Sequence, residues 1–275
     1  MHGEYFQAGA DVAITASYQA SYEGFARRGL SSADATSLLQ QTVRLAAAAR
    51  EDYLASLPAE ASAADARPLI AASIGPYGAA LADGSEYRGH YTLDDAALAK
   101  FHAPRLAALL AAGPDLLACE TIPSLREALV LARLLAQYPT ACAWISFACR
   151  DGTHTCEGQD LAECARALDD FGEIAAIGVN CTAPEHVPSL LRRLRAHTDR
   201  PLLAYPNSGE RYDAATKRWS GSTRTDTRMH TGATAPGFAA QAREWYAAGA
   251  RLIGGCCRTT PGHIRAIRET LSLCA

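Results

Sequence analysis

The chain has 275 residues, 49% of them hydrophobic and 20% charged, with a formal net charge of −3. Such a composition belongs to a water-soluble globular protein long enough to bury one large core. Basic residues such as Arg192, Arg193 and Arg195 are spread along helical stretches instead of gathered in a run, and no apolar segment has membrane-spanning length, so neither a nucleic acid nor a bilayer is an expected partner.

The opening MHGEYFQAGAD lacks the charged-then-apolar pattern of an export signal, and the expected compartment is the cytoplasm. The chain starts helix-like and runs into DVAITAS (11–17), the first of seven short apolar or β-branched runs. SADATSLLQQTVRLAAAAREDYLASL (32–57) follows with helical periodicity, then PLIAASIGP (68–76) and DLLACET (115–121). The helical SLREALVLARLLAQY (124–138) leads to ACAWISF (141–147) and IAAIGVNC (174–181). HVPSLLRRLRAH (186–197), again helical, precedes PLLAYPNSG (201–209), and ARLIGGCC (250–257) is the last run. Strands alternating with helices pair in parallel through crossovers, which makes the fold class α/β. The glycines before the strands in AAGPDLLACE (111–120) and AAGARLIGG (247–255) suit helix C-caps. No linker or composition break divides residues 1–275, so a single domain is expected.

Polar residues gather where the strands end: Thr15 and Ser17, Ser73, Glu120 and Thr121, Ser146, Asn180 and Cys181, Tyr205 and Asn207, Cys256 and Cys257. A (β/α)₈ TIM-type barrel brings all its C-terminal strand ends to one face, whereas a doubly wound sheet concentrates its ligand at a switch point. No GxGxxG or Walker loop supports nucleotide binding, and the barrel is the expected architecture. Seven strands are one short of eight, and the helix-like start places the absent first strand ahead of residue 1.

Nine cysteines, an odd count without an export signal, point to reduced thiols. Cys142, Cys149 and Cys164 sit in apolar surroundings and are expected to pack as small hydrophobes. Cys256 and Cys257 are adjacent, and a disulfide across one peptide bond is strained. With Cys181 on the sixth barrel strand and the pair on the eighth, three thiolates share a face; around one zinc they leave a fourth tetrahedral position open. Soft sulfur favours Zn²⁺ or Cu(I) over Mg²⁺ or Ca²⁺. Three thiolates make zinc electron-rich, no HExxH accompanies them, and such a centre suits holding a thiol substrate as a nucleophilic thiolate.

GVNC (178–181) and GGCC (254–257), with ITASYQA (14–20), SIGPYGAALADGSEYRGHY (73–91), ACETIP (118–123), SFACRDGTHTCEG (146–158) and YPNSGERYDAATKRW (205–219), resemble the homocysteine S-methyltransferase family. The likeness covers essentially the whole chain and is nearest the cobalamin-independent branch that uses S-methylmethionine, or less readily S-adenosylmethionine. It implies a (β/α)₈ barrel, zinc on Cys181, Cys256 and Cys257, and methionine formed from homocysteine and a sulfonium donor. It implies also that Glu120 binds the amino group of homocysteine, with Asn180 and then Ser146 as further substrate-binding candidates. Family members begin with a strand bearing an Asp-Gly motif and a Thr-Glu-Leu stretch, which this sequence lacks; a shortened chain would account for both that and the seven-strand count. Two other readings stay open: a zinc-binding but inactive truncated barrel acting in protein interactions, and a redox protein using the Cys256–Cys257 pair. The stretch 207–236 is long for a strand-to-helix connection, and its Tyr212 and Trp219 are candidates for facing a sulfonium through cation–π contact.

Overall fold

The structure is a computed structural model and describes residues 1–58, 67–209, 211–213, 218–220 and 234–273; of the side chains of 211–213 and 218–220 nothing is said. The order along the chain is α1 (His2–Gln7), β1 (Val12–Ile14), α2 (Tyr22–Ala26), α3 (Ser32–Ala55), β2 (Leu69–Ile74), α4 (Tyr77–Leu81) and, after a 3₁₀ turn (Ser85–Tyr87), α5 (Asp95–Leu110). β3 (Leu116–Ile122), α6 (Leu125–Leu135), β4 (Ala143–Phe147), α7 (Leu161–Leu168), β5 (Ile174–Asn180), α8 (Val187–Arg195) and β6 (Leu202–Tyr205) continue the alternation. The chain then forms the short strands β7 (Arg211–Asp213) and β8 (Arg218–Ser220), then α9 (Ala235–Ala247), β9 (Ala250–Ile253) and α10 (Pro261–Ser272). All seven expected strands are present and form one parallel sheet in the order β1-β2-β3-β4-β5-β6-β9. No eighth strand joins β1 to β9 among the described residues.

Strand residues alternate between two surroundings because side chains point to opposite faces with period two. Ile70, Ala72 and Ile74, Leu117 and Cys119, Ile145 and Phe147, and Leu202 and Ala204 enter the large core that includes Leu39, Leu106, Leu131, Leu190 and Trp245 from the helices. The intervening Ala71, Ala118, Trp144, Ala176, Leu203 and Tyr205 form a separate, small cluster without helical partners. The helix-packed core therefore lies on one face only, as a barrel requires and a doubly wound sheet does not. The segments flanking the two ends of the sheet touch. Tyr5 Oη donates to the Thr259 carbonyl at 3.3 Å, and Arg268 Nη1 reaches the Gly9 carbonyl and Asp11 Oδ1, each at 2.9 Å.

Local chemistry sets the element ends. Ser31 caps α3 in a reciprocal box with Asp34, and the side chains of Asp94, Ser124 and Asp160 accept amide hydrogens at the starts of α5, α6 and α7. Gly249, between α9 and β9, has φ +108°, a conformation open to glycine and costly for other residues. No helix among the described residues is long and apolar enough to cross a membrane.

Two expectations change. Cys149 and Cys164 are buried, but Cys142 is exposed. It has the same parity as Trp144 and stands one residue before β4, so its side chain projects at the uncovered lower rim of the inner face instead of into the helix layer. Within 207–236, read as one long loop, β7 and β8 pair antiparallel with Tyr212 opposite Trp219. The side chains of those two residues, proposed to face a sulfonium, lie outside the described residues.

Candidate metal centre and substrate pocket

Two apart on each strand, the inner-face residues run from the small apolar cluster to polar groups at the C-terminal ends: Ala71 to Ser73, Ala118 to Glu120, Trp144 to Ser146, and Ala176 through Gly178 to Asn180. Ser73, Glu120, Ser146 and Asn180 are all buried there. Gly178 is needed for this stacking, because a Cβ on it would lie 1.9 Å from the Leu203 carbonyl oxygen of neighbouring β6.

Cys181 follows Asn180 directly, and Cys256 and Cys257 follow β9. Their Sγ atoms lie 2.8 Å (181–256), 3.6 Å (181–257) and 4.0 Å (256–257) apart. The segment after β6, which lies between β5 and β9 in the sheet, ties both loops together. The Cys181 N–H donates to the Tyr205 carbonyl at 3.3 Å, the Cys256 N–H to the Pro206 carbonyl at 2.8 Å, and the Ser208 N–H to the Cys257 carbonyl at 3.1 Å. Cys181 has φ +48°, a left-handed backbone that disfavours a side chain, and its neighbour Thr121 has φ +60°. Asn180 holds Thr121 from both ends of its amide: its Oδ1 accepts from the Thr121 N–H (2.7 Å) and Ser146 Oγ (2.8 Å), and its Nδ2 donates to Thr121 Oγ1 (2.7 Å). Ser146 Oγ also pairs with Tyr205 Oη at 2.6 Å, and Trp144 Nε1 donates to that hydroxyl at 2.9 Å.

The electrostatics suit a cation. Cys257 is held far below the usual thiol range by hydrogen bonds from Cys181 and Cys256, while Cys256 is pushed up by its bonds to Cys181 and Cys257 and by burial. Burial raises the Glu120 carboxyl to about 7 against the opposing hydrogen bonds of Ser73 and Tyr205. Ser73 Oγ donates directly to Glu120 Oε1.

Glu120, Ser146 and Asn180 and the three cysteines 181, 256 and 257 thus gather at the C-terminal strand ends, with the three sulfurs grouped as a potential metal-binding set. The adjacent pair Cys256–Cys257 is the widest of the three separations, and both thiols are free. Sequence reasoning missed Tyr87, whose hydroxyl donates to Cys181 Sγ at 3.7 Å, and Tyr18, whose phenol is raised by burial and by the charges of Cys181, Glu86 and Glu120. Both lie in quoted segments, after β1 and β2, but no spacing rule marks a tyrosine on a loop.

The sequence profile described as Homocysteine S-methyltransferase matches residues 1–271. Homocysteine S-methyltransferase YbgG of Bacillus subtilis is 52% identical over 267 residues, covering 97% of this chain and 81% of its own. Homocysteine S-methyltransferase of Escherichia coli is 48% identical over 268 residues, covering 98% and 82%. The crystal structure of the homocysteine methyltransferase MmuM from Escherichia coli in its metallated form superposes with a TM-score of 0.82 at 44% identity, over 98% of this chain and 82% of that one. With the matching profile, the barrel architecture and the three-cysteine group in agreement, the chain belongs to the homocysteine S-methyltransferase family.

Proposed function

We propose that the chain carries out zinc-dependent transfer of a methyl group from a sulfonium donor, S-methylmethionine in preference to S-adenosylmethionine, to the thiol of homocysteine, forming methionine. The observation that carries this reading is the meeting of three sulfurs from two separated strand ends at the mouth of the sheet. The donor set fits zinc: Zn–S bonds of about 2.3 Å in a tetrahedron separate sulfurs by ~3.8 Å, and two of the three separations, 3.6 and 4.0 Å, bracket that value. The third, 2.8 Å, is shorter and would have to widen for all three sulfurs to hold one ion. All-sulfur donation also selects against magnesium and calcium. When bound, the ion supplies a place where an incoming thiol is held as thiolate at neutral pH.

The residues of the chain do the rest. Glu120, ionised, takes the ammonium group of homocysteine from the inner face, and Ser73 fixes its carboxylate. Asn180 and Ser146 line the same mouth, present Cys181 and border the amino acid. With its proton given up to solvent, the substrate sulfur attacks the methyl carbon in line. The new S–CH₃ bond forms as the donor's S–CH₃ bond breaks with its electron pair left on the departing sulfur; the donor leaves as a neutral thioether, so no general acid is required. Holding three atoms in line replaces an encounter in solution and can contribute ~7–11 kcal/mol. Reduced thiols suit a reducing compartment, and the cytoplasm is the proposed location.

The test is metal quantitation on reduced protein followed by a donor panel with homocysteine. About one zinc per chain is expected, with methionine formed fastest from S-methylmethionine. Cys181→Ala is expected to abolish both metal and turnover; retained turnover in that variant overturns the proposal.

A further inference from the structure

Glu86 belongs to the 3₁₀ turn Ser85–Tyr87, which sits over the mouth between α4 and α5. Its side chain is 7% exposed, and its Oε2 finds no hydrogen-bond partner among the described residues. A buried carboxylate without a compensating cation is costly and is normally paired. The neighbouring Arg88 does not pair with it. That guanidinium is exposed, donates to Ser85 Oγ at 3.2 Å and lies 3.9 Å from Asp83. The next residue in the turn, Tyr87, reaches Cys181 Sγ, so Glu86 stands at the sulfur side of the mouth. Burial raises its carboxyl, with the charges of Asp83 and Cys257 adding to the shift and its own backbone amide and the more distant Arg88 charge offsetting part of it. The phenols of Tyr18 and Tyr91 both respond to the charge of Glu86.

A sulfonium is a cation without N–H or O–H, so a protein can recognise it only through opposite charge and electron-rich surfaces. A carboxylate oxygen left without donors, beside tyrosines and next to the metal-binding sulfurs, offers both. We propose that Glu86 is the counter-charge for the sulfonium centre of the methyl donor, and so a specificity-determining residue that separates charged donors from neutral thioethers. The inference rests on the methyl-donor reading given above. It places the donor sulfur beside Glu86, near the Tyr18 phenol that responds to the charges of Cys181, Glu86 and Glu120. Once the methyl group has left, the product thioether is neutral and loses this attraction, which favours its departure.

The experiment compares S-methylmethionine with its carbon isostere, 2-amino-5-methylhexanoic acid, by calorimetry on the zinc-loaded full chain, Glu86→Gln and Glu86→Asp. The two ligands share ammonium, carboxylate and shape and differ in the sulfonium charge. The unaltered chain is expected to prefer the sulfonium by about tenfold or more. Glu86→Gln should bring the two affinities together while leaving zinc content and isostere binding unchanged, and Glu86→Asp should restore part of the preference. An unchanged preference in Glu86→Gln, or equal weakening of both ligands as a carboxylate holding the ammonium would produce, overturns the inference. Lack of preference in the unaltered chain overturns it whether or not the variants fold. If that chain makes methionine from S-methylmethionine in the same preparation, only the role of Glu86 fails; if it neither binds nor uses a sulfonium, the methyl-donor reading fails as well.

Discussion

Asn180 has a short amide whose two ends both hold Thr121, a residue with a left-handed backbone, and it directly precedes Cys181, the other such residue at the mouth. Asn180→Ala leaves the Thr121 N–H and the Ser146 hydroxyl short of a buried partner, a loss of about 1–3 kcal/mol for each group left unsatisfied. Urea denaturation should show that loss, and chelator competition should show weaker metal retention than in the unaltered chain. Glu120 gives a pH-dependent outcome. Its carboxyl is raised to about 7, so below that pH it is protonated and neutral, and it no longer attracts an ammonium group. For homocysteine, kcat/KM should fall roughly tenfold per pH unit below that point, and Glu120→Gln should sit low throughout without the Glu120 inflection. At this scale the cysteines were legible because their adjacency is rare and their motifs resemble a family. Glu120 was legible through the same resemblance. Glu86 was not, since its significance lies in the partners it lacks, and those are set by chain segments far from it in sequence.

At the scale of elements, the site depends on β5 and β6 lying close enough for their ends to share backbone hydrogen bonds. Gly178→Ala puts a methyl group into the Leu203 carbonyl, which is backbone and cannot rotate aside. Overpacking of this kind typically costs about 1–3 kcal/mol; the expected readout is a lower urea midpoint together with reduced zinc content, because the displaced strand carries Cys181. The seven strands were legible as apolar runs, and their parallel pairing followed from the intervening helices. The inner-face parity was visible only at their ends, where Ser73, Glu120, Ser146 and Asn180 replace the apolar side chains. The 3₁₀ turn and α4 escaped notice because neither is long enough to show a helical period. The β7–β8 hairpin escaped for the same reason, with three residues in each strand.

Across the whole molecule, the three sulfurs join loops that follow β5 and β9, so an ion bound there is bonded to strands that are not neighbours in the sheet. A ligand that binds the folded chain alone stabilises it by RT ln(1 + [L]/Kd), about 2.7 kcal/mol at a hundredfold excess over Kd. Removing zinc with a chelator should therefore lower Tm, and the drop should reverse on adding zinc back; an unchanged Tm in protein shown by metal analysis to have lost its zinc would contradict this linkage. Barrel architecture was legible from the clustering of polar strand ends, yet how the seven-stranded sheet joins its two ends was not, because that contact comes from helices at opposite extremes of the chain. Tyr5 on α1 donates to the carbonyl of Thr259, two residues beyond Cys257, and the Thr259 hydroxyl itself donates to the Cys256 carbonyl at 2.7 Å. The opening helix is consequently moored to the metal-binding loop, and amide hydrogen exchange in residues 2–9 should slow when that loop is stiffened by cation uptake, reporting occupancy of the centre from the far side of the sheet.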